Sequence, residues 1–236
     1  MNTALIVAGG VGFRTGQEIP KQFLTVNEIP IIIYTLEAFQ EHPDIDDIVV
    51  VTLPAWKEVL RAYCRQFGIS KLDAIVDAGE TRFGSIYNGV KALAGKLSDG
   101  DLVTLHDANR PLVDAAMISE GQRVAAEYGS ALAVLGCNDS MFISHDRKVA
   151  ADHTDKRVLF QGQTPETFRY SIIRDACEWA ERENAGDLSI SAILLKQGIE
   201  VHLIPSSSRN FKITTPEDID MFKALLAVPR TQKVRK

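Results

Sequence analysis

Residues 4–21 read ALIVAGGVGFRTGQEIPK, in which an apolar run from Ala4 to Val7 breaks into Gly9, Gly10 and Gly12 before two cations, Arg14 and Lys21. Glycines let backbone N–H groups approach a polyanion without interference from a Cβ. The planar fork of an arginine and the point charge of a lysine suit a phosphoryl group whose charge is spread over several oxygens. The same residues also make a plain glycine turn flanked by solvated cations. Spacing excludes two common phosphate loops. A dinucleotide fingerprint needs a glycine where the chain has Thr15 and a helix where it has Pro20, and a P-loop needs Lys followed by Ser or Thr.

Further polar constellations follow. In GETRFGSIYNG (79–89), Arg82 lies in a loop and Ser85 opens a helical pattern, where its hydroxyl can cap the helix or meet a base edge. In LHDANRP (105–111), Asp107 ends a buried apolar run, so its carboxylate must be wet, paired or on a metal. Arg110 is the structural partner at hand, and Mg²⁺ is the hard cation that few carboxylates hold when substrate phosphates share it. His106 reads as a structural histidine. Lys212, between apolar neighbours in NFKIT, points at a site rim, whereas Asp218 belongs to the start of the helix that follows.

These residues must be positioned by a regular alternation. Apolar runs rich in β-branched residues (ALIVAG, DIVVVTL, AIVDAG, DLVTLHD, SALAVLG) alternate with segments of helical period. Continuous apolar strands indicate burial on both faces, hence an α/β class with a doubly wound, mainly parallel sheet. In such sheets ligands sit at the carboxyl ends of the strands, beside the loops after Val7, Val76, Leu105 and Leu135. Pro30 suits a first helical turn, and Thr215-Pro216-Glu217-Asp218 reads as an N-cap, a helix-starting proline and first-turn acids. Between Cys137 and Gln163 the rhythm breaks into two short strands around His145-Asp146-Arg147-Lys148 and then a third, a protruding β-arm at about 138–162.

The 236 residues carry 45% hydrophobic and 24% charged side chains, a globular composition that predicts a single domain over 1–228. The net charge of −5 offers no basic field for nucleic acid. No run is long enough to span a membrane, and Cys64, Cys137 and Cys177 form no disulfide or zinc pattern, which fits a reducing cytoplasm. Residues 229–236 read as a mobile basic tail.

The loop A-G-G-x-G-x-R followed by P-K-Q-F resembles the signature of the cytidylyltransferases that make CDP-polyols, the family of the methylerythritol-phosphate and ribitol-5-phosphate enzymes. The likeness continues in order through GETRFGSIYNG, LHDANRP, QGQTPETF (161–168) and NFKITTPED (210–218). It implies a Rossmann-like nucleotidyltransferase sheet and transfer of CMP from CTP to a polyol phosphate, with Mg²⁺ on Asp107. Arg14, Lys21, Arg157 and Lys212 would be catalytic. Nucleotide contacts would come from Val7, Ala8, Gly9, Gly10 and Gly12, from Gly79, Glu80, Thr81, Arg82 and Ser85, and from Asp107, Ala108 and Arg110. The acceptor would meet Ser140, Lys156 and Thr164, and the arm would form a homodimer. QGQTPETF favours ribitol 5-phosphate over 2-C-methyl-D-erythritol 4-phosphate; a catalytically silent nucleotide-binding domain is the alternative of another class.

Three departures from the family pattern stand out. The arginine expected eight residues before Thr164 is Lys156, with Arg157 one residue later, and a one-residue shift along a strand turns a side chain to the other face. Glu166 replaces a usual glutamine. The acidic pair expected before the last core helix is reduced to a displaced Asp187.

Overall fold

The computed structural model describes residues 1–10 and 19–228, so Gly12, Arg14 and the tail at 229–236 lie outside the described residues. A seven-stranded sheet runs in the order β11-β7-β10-β6-β1-β4-β5. Its central strands are β1 (Asn2–Ala8), β4 (Asp47–Thr52) and β6 (Leu102–Asp107), continued on one side by β5 (Leu72–Asp77) and on the other by β7 (Ser130–Gly136), β10 (Phe160–Arg169) and β11 (His202–Pro205). β10 runs antiparallel to both neighbours, while the remaining pairs are parallel.

The two-sided apolar strands sort their side chains by parity. Ala4, Ile6, Ile48 and Val50 face a layer made by α1 (Ile31–Gln40), α2 (Lys57–Gln66) and α4 (Ala115–Tyr128). Leu5, Val49, Val51, Val103 and Leu105 face α3 (Arg82–Ala92), α5 (Tyr170–Arg182) and α6 (Ile190–Lys196). Each fully buried Ile or Leu contributes about 1.5–3 kcal/mol, which holds the sheet flat against both helix layers. Edge strand β5 departs from the expectation of burial on both faces: its residues are exposed or half-buried because it has a neighbour on one side only.

β1 lies between β4 and β6, so successive crossovers leave it in opposite directions and open a crevice at its carboxyl end. The Gly9 and Asp107 loops both begin there. Pro30 differs slightly from its expected place: it is the N-cap of α1 and pairs with Thr25 in the small hairpin of β2 (Thr25–Val26) and β3 (Ile29–Pro30). α7 (Pro216–Ala227) starts with a capping box, Thr215 accepting from the Asp218 amide while Asp218 accepts from the Thr214 and Thr215 amides. The arm is a hairpin of β8 (Met141–Ile143) and β9 (Asp152–Thr154). It ends earlier than its expected boundary of 162, because Phe160 to Gly162 already pair with β7 in the main sheet.

Candidate functional site

The loops after β1 and β5 meet face to face. A Cβ at Gly9 would lie 2.6 Å from that of Ala78, and one at Gly79 would lie 2.6 Å from the Gly84 carbonyl carbon, so close backbone approach requires glycine at both places. Gly10 faces open space, where a Cβ would meet no described atom within 4 Å. Gln22, which sequence reasoning left without a role, anchors the glycine loop: its Nε2 donates to the carbonyls of Ala8 (2.6 Å) and Gly10 (3.1 Å).

Ser85 is not the helix cap. Thr81 caps α3 by accepting from the Gly84 amide, and the Ser85 hydroxyl, one turn in, accepts from the Gly79 amide (3.1 Å) and donates to the Thr81 carbonyl (2.9 Å). The Thr-x-x-Gly spacing was visible in the sequence. That Ser85 would instead tie the loop back on itself was not.

At the end of β6, Asp107 is 5% exposed and engages two cations from distant segments and one from its own loop. Arg82 Nη2 donates to Oδ1 at 3.1 Å, Lys212 Nζ donates to Oδ2 at 3.0 Å, and Arg110 Nε lies 3.5 Å from Oδ2. Burial by itself would raise this carboxyl, but the charges of Arg82, Lys212 and Arg110 outweigh it and hold the group well below the usual carboxylate range. The structural pairing of Asp107 with Arg110 is therefore one arm of a larger cluster.

Arg110 also donates through Nη1 to the Asn210 carbonyl (2.8 Å), and Asn109 Nδ2 donates to that of Ile213 (2.7 Å), so the segment carrying Lys212 is fastened to the β6 loop at both ends. Burial pushes the neighbouring His106 down to about 4. Its Nε2 lies 3.1 Å from the Arg110 carbonyl, which can only accept, so the proton is on Nε2 and the sealed Nδ1 has no partner among the described residues.

Two cavities share this cluster as their common wall. The first, of about 240 Å³, is lined by Gly9, Gly10, Lys21, Gly79, Thr81 and Ser85, together with Val7, Ala8, Glu80 and Ala108; Arg82, Asp107 and Lys212 close it. The second, of about 170 Å³, is bounded by the same three residues and by Arg110, Gln163, Thr164, Glu166 and Ser189. Arg110, expected among the nucleotide contacts, thus faces the second cavity rather than the first. The Thr164 hydroxyl accepts from the Asp107 amide at 3.1 Å, so the acceptor residue named from the sequence is joined directly to the cluster.

Ser140, Lys156 and Arg157 do not line either cavity. They surround a separate hollow of about 440 Å³ on the arm. Lys156 to Val158 form a 3-10 turn rather than a strand, so the expected alternation of faces does not apply to the Lys156 and Arg157 pair. Arg157 grips Asp155 through Nε and Nη2 at 2.7–3.0 Å, and Lys156 donates to the Asn138 carbonyl. Asp187 is exposed. The carboxyl at the entrance of α6 comes instead from β10, where Glu166 Oε2 accepts from both the amide and the hydroxyl of Ser191. Among the described residues, no three His, Cys, Asp or Glu side chains group as a preformed metal site, and no helix is long and apolar enough to cross a membrane.

Comparison with known proteins agrees with this geometry. The profile described as IspD, 2-C-methyl-D-erythritol 4-phosphate cytidylyltransferase, matches residues 2–228. The chain is 39% identical over 229 residues to a ribitol-5-phosphate cytidylyltransferase of Lacticaseibacillus paracasei, covering 96% of this chain and 98% of that one. It is 38% identical over 225 residues to a 2-C-methyl-D-erythritol 4-phosphate cytidylyltransferase of Clostridium botulinum, covering 95% and 97%. Its fold superposes on the crystal structure of 4-diphosphocytidyl-2C-methyl-D-erythritol synthase from Anaerococcus prevotii with a TM-score of 0.80 at 21% identity, over 95% of each chain. The chain therefore belongs to the 2-C-methyl-D-erythritol 4-phosphate cytidylyltransferase family, and it is a cytidylyltransferase that draws on CTP.

Proposed function

We propose that the enzyme transfers CMP from CTP to D-ribitol 5-phosphate, forming CDP-ribitol and pyrophosphate. The observation that carries this reading is the shared wall: Arg82, Asp107 and Lys212 border both a glycine-lined cavity suited to a nucleotide and a smaller polar cavity suited to a phosphorylated polyol. A phosphate oxygen of the acceptor attacks the α-phosphorus of CTP, and the bond from that phosphorus to the pyrophosphate oxygen breaks. A phosphate monoester has its second pKa at about 6 and arrives as an anion, so no general base is needed. Positioning and relief of crowded negative charge do the work. Lys21 and Arg14 serve the triphosphate, Lys212 serves the phosphoryl oxygens at the junction, and Arg157 or Lys156 of the arm holds the acceptor phosphate, with a second copy of the chain closing the site through that arm.

Magnesium belongs to the proposal. Asp107 remains ionised and keeps lone pairs on both oxygens, so it can contribute one ligand, but Arg82, Arg110 and Lys212 surround it with positive charge. The donor set fits a divalent cation only when the triphosphate supplies most of the oxygens. When bound, the ion would neutralise triphosphate charge. Titration of the protein with Mg²⁺ alone should give no binding, and adding CTP should restore it; tight binding without nucleotide would reject this arrangement.

The choice of acceptor rests on QGQTPETF and on the ribitol-type relative. The methylerythritol reading is favoured by the family profile and by the relatives of almost equal identity. Pyrophosphate release from CTP with each acceptor at matched concentration separates the two. A preference of at least tenfold for ribitol 5-phosphate is expected, and the opposite preference overturns the proposal. Release with neither, while CTP still binds, points to another phosphorylated acceptor.

A further inference from the structure

Glu166 is a carboxyl in a place where a carboxyl is costly. It is 3% exposed, on β10 opposite Leu105 of β6 and Leu132 of β7. Its pairing with Leu105, whose side chain packs under α3, α5 and α6, puts it on the sheet face covered by α6, on the wall of the second cavity and not of the first. Both hydrogen bonds it receives, from the Ser191 amide and hydroxyl, go to Oε2. No described residue donates to Oε1. Nor is that oxygen among the sealed polar atoms without a partner, which are His106 Nδ1, Arg110 Nε, Gln197 Nε2, His202 Nδ1 and Asn210 Oδ1. An acceptor atom is thus left open at the cavity, where buried polar groups ordinarily find partners.

The neighbours define what that atom can meet. Gln163 Oε1 is already taken by the Ser206 hydroxyl and the Asn210 amide, and Ser189 caps α6 by accepting from the Ala192 amide. Thr164 accepts from the Asp107 amide and keeps its own proton to donate. The second cavity therefore offers several donors (Arg82, Arg110, Lys212 and the Thr164 hydroxyl) and, in Glu166 Oε1, an acceptor to which no described residue donates. A phosphate is repelled from that acceptor. A carbon chain carrying hydroxyls, each of which both donates and accepts, fits the set.

We infer that Glu166 is a specificity residue which accepts a hydrogen bond from a hydroxyl of the acceptor's polyol chain, with Ser191 fixing its orientation. The inference rests on the reading of the second cavity as the acceptor's place. Burial raises the Glu166 carboxyl, with the Ser191 bonds and Arg82 opposing. A glutamine would avoid the desolvation cost of the ionised group while filling the same volume. The group's presence is explained by what it contacts in the complex rather than by what it stabilises in the free chain.

The test compares the full-length enzyme with Glu166→Gln and Ser191→Ala, using steady-state pyrophosphate release with ribitol 5-phosphate and with its monodeoxy analogues. Glu166→Gln should raise the acceptor KM at least tenfold and leave the CTP KM within twofold. That penalty should vanish for one particular deoxy analogue, because the hydroxyl that Glu166 contacts is already gone. Ser191→Ala should show a smaller penalty on the same analogue pattern. An equal penalty across all analogues, an unchanged acceptor KM or a raised CTP KM would each overturn the inference while leaving the proposed reaction standing. If the parent enzyme binds CTP but uses none of these acceptors, the proposed reaction falls and Glu166's role falls with it.

Discussion

The Asp107 cluster and the Arg157–Asp155 pair of the arm are both short ion pairs, yet they occupy opposite environments. The carboxylate side chain of Asp107 is 8% exposed and that of Arg110 11%, whereas Arg157 is 85% and Asp155 44% exposed. Asp107 and Arg110 are shielded from water, where attraction is weakly screened, and Arg82 and Lys212, 39% and 35% exposed, converge on that buried carboxylate from the cavity side, so Asp107 fixes the frame. On the arm, the guanidinium gains little by staying with Asp155 and can be handed to an incoming phosphate. In the proposed reading, chemistry that needs fixed positions is built at the end of β6, and recognition that needs exchangeable charge is built on the 3-10 turn that follows the arm's hairpin.

The strongest way to break this contrast is Asp107→Asn. It leaves three cations facing one neutral group, and we expect a loss of about 3 kcal/mol in unfolding free energy, read from denaturant midpoints. Turnover should fall by more than about a thousandfold, since positioning and charge at the junction are lost together. The pH dependence has a definite sign. The Asp107 carboxyl is depressed in the folded state, so its contribution is present above the unfolded value of about 4 and disappears as pH falls through the folded value. The acid side of the stability profile should flatten in the variant; an unchanged profile would show that the cluster does not act as a frame.

Lys21→Ala comes next. It should lower kcat by about a hundredfold to a thousandfold while the CTP dissociation constant, measured calorimetrically, moves by less than threefold. Equal losses in both would reduce Lys21 to a ground-state contact. On the arm, Arg157→Ala should raise the acceptor KM about tenfold without moving the melting temperature. Lys156→Ala should do less, and Asp155→Ala, by releasing the guanidinium, should lower that KM. If Lys156→Ala proves the more damaging, the two cations exchange roles.

The smallest effect is expected for stability in Glu166→Gln, and its sign is opposite to that at Asp107. A carboxyl raised by burial binds its proton more tightly folded than unfolded, so stability falls as pH rises from about 4 through the folded value. The glutamine variant should therefore gain on the parent enzyme between pH 4 and pH 8 in thermal melts. A loss at pH 8 would make Glu166 a structural group.

Much of the frame was readable because its causes are local. Continuous β-branched runs specified strands buried on two faces, and Thr215-Pro216-Glu217-Asp218 specified the start of α7 through its own hydrogen bonds. The reading failed where a local rule had a competitor. Ser85 fits a cap, but Thr81 took that place and the serine turned to the loop. Lys156 and Arg157 were judged by strand parity, but the chain winds them into a 3-10 turn.

What the sequence determined by itself is therefore the alternation of strands and helices, the glycine loop that opens the crevice, and the chemical types available around it. Each of these follows from periodicity, β-branching or the lack of a Cβ within a few residues. Only the tertiary structure decided which groups share an atom. Lys212 reaches Asp107 across 105 residues and Arg82 reaches it across 25, and Glu166 meets Ser191 because β10 pairs with β6 on the face that α6 covers. Such meetings depend on how whole layers pack and which strands lie beside each other, and no local preference of the chain encodes them.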